Sequence, residues 1–394
     1  MPRAPRPSAH ALGVRASTFE AFQGKLRARA AAGDLIPLHL GDTWLPPPPA
    51  AQQVDLTRPE LHRYGPITGD PALRRAVAGE LLRHGFAADP EEVVITVGAT
   101  GALDVAFDAL LEPGDEVLVV TPCWPLVFGL VQRRGARPVE VDVDPSGALP
   151  ADPAALARAL TAAVTPRTVA LYVCDPNNPA GFVFSRPHQE AIAAVARAHD
   201  LWLLVDAVYV DMELGVPRAG PLQAWEAERE RTCLVLSYSK ACGLAGDRIG
   251  ALRAPPALGA LAPRLITHTT YHAAQVSQRM LLQALLDPGA PTDRERRRVA
   301  AVEGAALVGA HLGERIPFPR PAGGAFVLLD LRGSAADEAA ALAFLERSLD
   351  RGVALAPGGA FGSRFGRFAR LCYTAVPPAQ LVEGLERLAP LLSE

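Results

Sequence analysis

An α/β fold is predicted for this sequence: a mostly parallel sheet covered by helices on both faces, followed by a smaller α+β region. Three observations carry that prediction. Between Tyr64 and Leu236, apolar runs of strand length alternate with stretches of helical spacing. The runs are apolar throughout rather than every second residue, the pattern of strands buried on both faces. From Gly323 onward the texture changes to strands and helices in a mixed order, which suits a second, smaller unit.

The chain has 394 residues, room for one large domain and a smaller one. Its composition, 49% hydrophobic and 21% charged, is that of an ordinary globular protein. A net charge of −3 gives no reason to expect nucleic acid or an anionic membrane as partner. No apolar run approaches the ~18–20 residues of a membrane span. The five cysteines (Cys123, Cys174, Cys233, Cys242 and Cys372) include no Cys-x-x-Cys pair. That usage predicts reduced thiols in a cytoplasm rather than a disulfide frame, and no metal site. The segment Met1–Pro7 is basic but no apolar core follows it, so it reads as a disordered lead-in rather than a secretory signal.

Taken in order, a helix is expected from about Ser17 to Ala32, with Phe19, Phe22 and Leu26 at helical spacing. An extended segment follows from Leu35 to Trp44. It runs into Pro46–Pro49, a stiff connector and domain boundary. Residues 64–70 form a loop, and Asp70 or a neighbour caps a helix from Pro71 to His84. Strands are expected at Glu92–Val97, Glu116–Val120, Val139–Val143, Val169–Val173 and Leu201–Val205, with Leu234–Leu236 closing the series. Residues 256–316 read as helix-rich, and the charged run Asp293–Arg298 as the solvated face of a long helix. The tail reads as strand Gly323–Asp330, helix Ala335–Asp350, short strand Val353–Leu355, strand Phe368–Tyr373 and helix Pro378–Leu392.

In parallel α/β sheets, ligands bind at the carboxyl ends of strands, and the chemically notable residues cluster there. Ser237-x-Ser239-Lys240 follows a buried strand, with Arg248 eight positions on from the lysine. Such a lysine is either a surface turn residue or a desolvated amine nucleophile. Gly98–Gly101 is an ordinary strand–helix turn or a phosphate cradle of free N–H groups at a helix start. Trp124, between Pro122 and Pro125, is a core tryptophan or a rigid plate for a flat heterocycle. Asn178 sits in a stiff turn bounded by prolines and Gly181. Asp206 follows an apolar strand, where it must cap a helix or meet a cation. Arg370 lies inside an apolar strand, where its planar fork calls for a carboxylate.

The combination of Tyr64-Gly65-Pro66, Asn178-Pro179-x-Gly181, Asp206-x-x-Tyr209 and Ser237-x-Ser239-Lys240 with Arg248 resembles the fold type I pyridoxal-phosphate enzymes. Within them it is similar to the class I/II aminotransferases, from about Gly41 to Arg370. The resemblance implies a seven-stranded type of sheet in a large domain and a small domain built from both chain ends. Residues 1–49 would be an arm and part of the small domain, 50–285 the large cofactor-binding domain, and 286–394 the small C-terminal domain.

It also implies roles. Lys240 would anchor pyridoxal 5'-phosphate as a Schiff base and carry the proton between substrate and cofactor. Asp206 would pair with the ring nitrogen, while Asn178 and Tyr209 would hold the ring oxygen. Trp124 would stack on the ring. Ala99, Thr100, Ser237, Ser239 and Arg248 would hold the phosphate. Arg370 and the Gly41 backbone would take the substrate α-carboxylate, with Asn178 beside them. Tyr64 would reach the phosphate of a neighbouring subunit, so the expected assembly is a homodimer with shared active sites.

The activity expected is transfer of an amino group between an L-amino acid and a 2-oxo acid by a ping-pong mechanism. A β-eliminating carbon–sulfur lyase on the same scaffold is the alternative. A cofactor-binding regulator is not expected, since no helix-turn-helix pattern precedes Gly41. The chain departs from the family at Ala207, at Tyr271–Ala273 and at Asp42–Trp44. Trp44, Tyr271 and His272 could line an aromatic or apolar side-chain pocket, with no second arginine clearly placed for a dicarboxylate.

Overall fold

The computed structural model describes residues 9–14, 22–144, 146–215 and 218–392. Among these residues, ten strands form two sheets. The larger contains β1 (Val93–Val97), β2 (Glu116–Thr121), β3 (Arg137–Asp142), β4 (Thr168–Cys174), β5 (Trp202–Asp206), β6 (Thr232–Ser237) and β7 (Ile249–Arg253). Their order is β1-β7-β6-β5-β4-β2-β3. Pairings within β6-β5-β4-β2-β3 are parallel. β7 lies antiparallel to both β1 and β6. The smaller sheet contains β8 (Phe326–Asp330), the two-residue β9 (Ala356–Pro357) and β10 (Phe368–Cys372), all antiparallel in the order β8-β10-β9.

Strand β2 shows why the large sheet reads as unbroken apolar runs. Val117 and Val119 join the core on one face, Leu118 and Val120 the core on the other, and all four are buried. Helices cover both layers. The Pro71–Arg83 helix starts where expected: Asp70 accepts from the Ala72 N–H at 2.7 Å, and Pro71 occupies the first turn.

Four expectations need correction. The strand series does not close at Leu236, because β7 is a seventh member. Its sequence, Ile-Gly-Ala-Leu-Arg, hides it by carrying a glycine and ending in a charge. The Arg253 side chain is nonetheless fully buried, with its guanidinium on Glu92 at 3.0 Å and on the carbonyls of Arg229 and Thr232. The charged run at 293–298 is not simply a solvated face. It lies on the Ala290–Leu312 helix, and Arg297 is buried, bonding Asp293 at 2.7 Å and the carbonyls of Leu45 and Pro46. The short strand expected at Val353–Leu355 falls at β9 instead, with Val353 making only an isolated bridge to Ile36. The first described helix of the 17–32 region is Gln23–Ala31, and Phe19 lies outside the described residues.

That bridge ties the two ends of the chain together. The Ile36 N–H donates to Gly352 O at 2.7 Å, the Cys372 N–H to Leu38 O at 2.8 Å, and the Trp44 N–H to Thr374 O at 2.9 Å. The segment carrying Gly41 is thereby laid along β10, which carries Arg370. Among the described residues, no helix is long and apolar enough to cross a membrane.

Candidate active site

Strands β1, β2, β4, β5 and β6 all point the same way, so their carboxyl ends share one edge of the sheet. Since β7 runs opposite, its first residue, and Arg248 before it, arrive at that same edge. A cavity of about 470 Å³ opens there. A larger one, about 750 Å³, lies between the Ala290–Leu312 helix and the Ile316–Pro321 loop, but it contains none of the residues singled out from the sequence.

At one end of the 470 Å³ cavity are Ala99, Thr100, Ser237, Ser239 and Arg248. The helix Gly98–Leu110 starts here without a side-chain cap, which leaves its first N–H groups available. Gly98 has φ +67°, and a Cβ on it would stand 2.6 Å from the Arg248 guanidinium. A Cβ on Gly250 would meet the Gly98 carbonyl carbon at 2.6 Å and the Ala99 nitrogen at 2.8 Å. Two glycines therefore let the helix start, β7 and Arg248 close upon one another. Ser237 accepts from the Ser239 N–H at 3.2 Å and so shapes the turn that presents Lys240. Lys240 lines the cavity, and burial lowers its amine pKa against the pull of Asp42.

Deeper in, Asp206 is buried at the end of β5. Its Oδ2 accepts from the Tyr172 hydroxyl at 2.7 Å, and its Oδ1 from the Val208 N–H at 3.3 Å. Among the described residues no cation pairs with it, and burial pushes its pKa up to about 6. Tyr209 is buried edge-on to Phe326, with ring centroids 5.6 Å apart. Burial raises its phenol pKa well above the ordinary value. Trp124 and Cys174 also line this part.

Arg370 closes the far side. Its Nη1 donates to Asn178 Oδ1 at 3.0 Å and its Nη2 to His39 O at 2.6 Å. The guanidinium lies between the rings of Phe326, 4.3 Å from the centroid, and Phe361, 4.8 Å away. Its Nε is buried with no partner, and no carboxylate pairs with it among the described residues. A cation so placed is prepared for an anion that the chain does not supply. The Arg370–Asn178 bond also fixes the Asn178 amide, turning its NH₂ end away from the guanidinium. At Gly41 a Cβ would stand 2.9 Å from Phe326 Cζ, so the backbone there stays bare.

The fold thus brings Gly41, Ala99, Thr100, Trp124, Asn178, Asp206, Tyr209, Ser237, Ser239, Lys240, Arg248 and Arg370 around one cavity. Four residues named from the sequence stand outside its lining. Tyr64 is 84% exposed and packs on Tyr271, 4.9 Å between centroids, and on His272. Trp44 is held by its backbone to Thr374, and its side chain does not line the cavity; neither do Tyr271 and His272. The lining in turn includes residues that the sequence did not single out: Leu26, His39, Leu40, Leu126 and Cys174. Tyr172, the hydrogen-bond donor to Asp206, was likewise missed. A tyrosine inside an otherwise apolar buried strand is the signal that could have found it, since its hydroxyl needs a partner.

Known proteins of similar sequence and fold point to one family. The profile of a family described as aminotransferase class I and II matches residues 35–388. An aspartate/prephenate aminotransferase of Thermus thermophilus is 34% identical over 339 residues, covering 84% of this chain and 83% of that one. An arginine–pyruvate transaminase of Pseudomonas aeruginosa is 34% identical over 306 residues, covering 76% of this chain and 75% of that one. Among solved structures, an aspartate aminotransferase from Thermus thermophilus with maleate has a TM-score of 0.88 at 32% identity, covering 98% of this chain and 100% of that one.

Proposed function

The chain belongs to the aminotransferase class I and II family, and on that premise we propose that its 470 Å³ cavity holds pyridoxal 5'-phosphate for ping-pong transfer of an amino group between an L-amino acid and a 2-oxo acid. The observation that carries this reading is the set of unmet demands around one cavity. They are an uncapped helix start beside Arg248, a buried carboxylate without a cation, and a buried guanidinium without a carboxylate. A ligand with a phosphate, a basic ring nitrogen and a bound amino acid would satisfy all of them, so the residues present fit the group. A β-eliminating lyase is not favoured by the relatives, which are aminotransferases.

When bound, the cofactor supplies a carbonyl carbon for amines and a ring that draws electrons from the substrate Cα. Ala99, Thr100, Ser237, Ser239 and Arg248 would grip the phosphate, and Trp124 would cover the ring. Asp206, oriented by Tyr172, would hold the proton on the ring nitrogen. Asn178 and Tyr209 would donate to the ring oxygen. Arg370, beside the bare Gly41 backbone, would hold the substrate α-carboxylate and so fix the direction of its Cα–H bond. The Lys240 amine, with its pKa lowered by burial, would anchor the cofactor, then take the proton from the substrate Cα and deliver it to the cofactor carbon that had borne the carbonyl.

The exposed Tyr64 supports a homodimer in which it serves the partner's cavity. The five thiols, all buried and none in a disulfide, support a cytoplasmic setting.

Replacing Lys240 tests the centre of the proposal. Lys240→Ala is expected to lose the visible absorption of bound cofactor and at least ~10²–10⁴-fold of transamination rate. Persistence of that band would overturn the assignment. In the wild type, an amino acid offered without a 2-oxo acid should release its own 2-oxo acid and no ammonia; ammonia with pyruvate would mean elimination instead.

A further inference from the structure

Setting aside the residues assigned to phosphate, ring and α-carboxylate, the remaining cavity lining is mostly aliphatic: Leu26, Leu40, Leu103, Pro125, Leu126 and Val208, with His39 and Cys174 beside them. Leu103 is fully buried in the core behind the cavity wall. The other three leucines come from separate segments: the Gln23–Ala31 helix, the strip laid along β10, and the first residue of the Leu126–Gln132 helix. Leu40 and Leu126 remain 50% and 53% exposed. Large apolar side chains left wet at the rim of a polar cavity gain when a ligand covers them.

The charged lining leaves nothing over. Lys240, Arg248 and Arg370 each have a stated task, and Asp206 lies deep under the ring position. The remaining basic group, His39, has its pKa pushed down to about 4 by burial and by Arg370, so it is neutral at pH 7. Among the described residues, no lining side chain is free to meet a second charge on a substrate. A charged side chain entering there would lose water without meeting a counter-charge from this subunit's own lining.

We propose that Leu26, Leu40 and Leu126 form the side-chain subsite and select amino donors with uncharged, apolar side chains of the leucine, methionine and phenylalanine kind. Aspartate, glutamate and arginine are disfavoured, although relatives act on aspartate and arginine. The subsite rests on the transaminase reading above. It reaches an apolar preference through residues other than Trp44, Tyr271 and His272.

The test is a donor panel on the cofactor-loaded enzyme. Leucine, methionine and phenylalanine should exceed aspartate, glutamate and arginine in kcat/KM by ~10-fold or more, since even one methylene in an apolar pocket is worth ~10–200-fold. Leu40→Ala should cost leucine and phenylalanine ~10-fold while changing alanine by less than ~3-fold. Leu126→Arg should raise the aspartate-to-leucine ratio by ~10-fold or more, through a new ion pair. A wild-type preference for a charged donor, or a Leu40→Ala loss shared equally by alanine and leucine, would overturn the subsite. Calorimetry with 3-phenylpropionate and succinate separates the two readings. An enzyme that turns over no amino acid but binds 3-phenylpropionate the tighter fails as a transaminase and keeps its subsite. Tighter binding of succinate removes the subsite whatever the activity.

Discussion

Asp206 combines the two conditions that make a buried carboxyl useful: a donor that orients it and a missing cation. Burial lifts its pKa to about 6, while the Tyr172 hydroxyl pulls the other way. The sign for ligand binding follows. Below about 6 the group carries a proton and cannot pair with a protonated ring nitrogen; above it the carboxylate is ready. Cofactor affinity should therefore weaken as pH falls through that value, by up to ~10-fold per unit. Fluorescence titration of the wild type beside Asp206→Asn would isolate this dependence, which the variant should lack. Equal pH profiles would mean that Asp206 does not meet the ring. At this scale the sequence was informative wherever a polar residue ended an apolar run, as at Asp206, Asn178 and Lys240. Tyr172 showed only as a hydroxyl inside an apolar strand, and its partner lies 34 positions away, so the sequence did not say what it serves.

Among the elements, β7 shows how a strand can be hidden by its own fit. Gly250 is required where β7 crosses the start of the Gly98–Leu110 helix, and Arg253 is accepted because Glu92 and two carbonyls surround it. Both residues weaken a strand pattern when read along the chain, and both are explained by neighbours far from them in sequence. Gly250→Ala should destabilise the fold by ~1–3 kcal/mol, since its new methyl group would press on backbone atoms that cannot swing aside. It should also loosen cofactor binding by displacing Ala99. Urea unfolding with a cofactor titration checks both effects, and a variant of unchanged stability and affinity would refute the close packing. Arg297 teaches the same lesson on the Ala290–Leu312 helix, where one member of a charged run turns inward to the carbonyls of Leu45 and Pro46.

Across the whole molecule, Tyr64 stands away from its own cavity, 84% exposed against Tyr271 and His272. If it serves a second copy, Tyr64→Phe should weaken cofactor affinity ~10–100-fold through one lost charge-assisted hydrogen bond. The oligomeric state in sedimentation should stay dimeric. A monomeric wild type, or unchanged affinity in the variant, would remove Tyr64 from the site.

The sequence alone determined the fold class and which polar residues stand at the strand ends, because strand-length apolar runs and the polar residues that follow them are local patterns. Only the tertiary structure decided that β7 belongs to the sheet, that Arg370 sits between Phe326 and Phe361, and that Leu26, Leu40 and Leu126 rim the cavity while Trp44 does not line it. Those outcomes depend on contacts between residues far apart along the chain, and such contacts leave no periodic trace in the order of the residues.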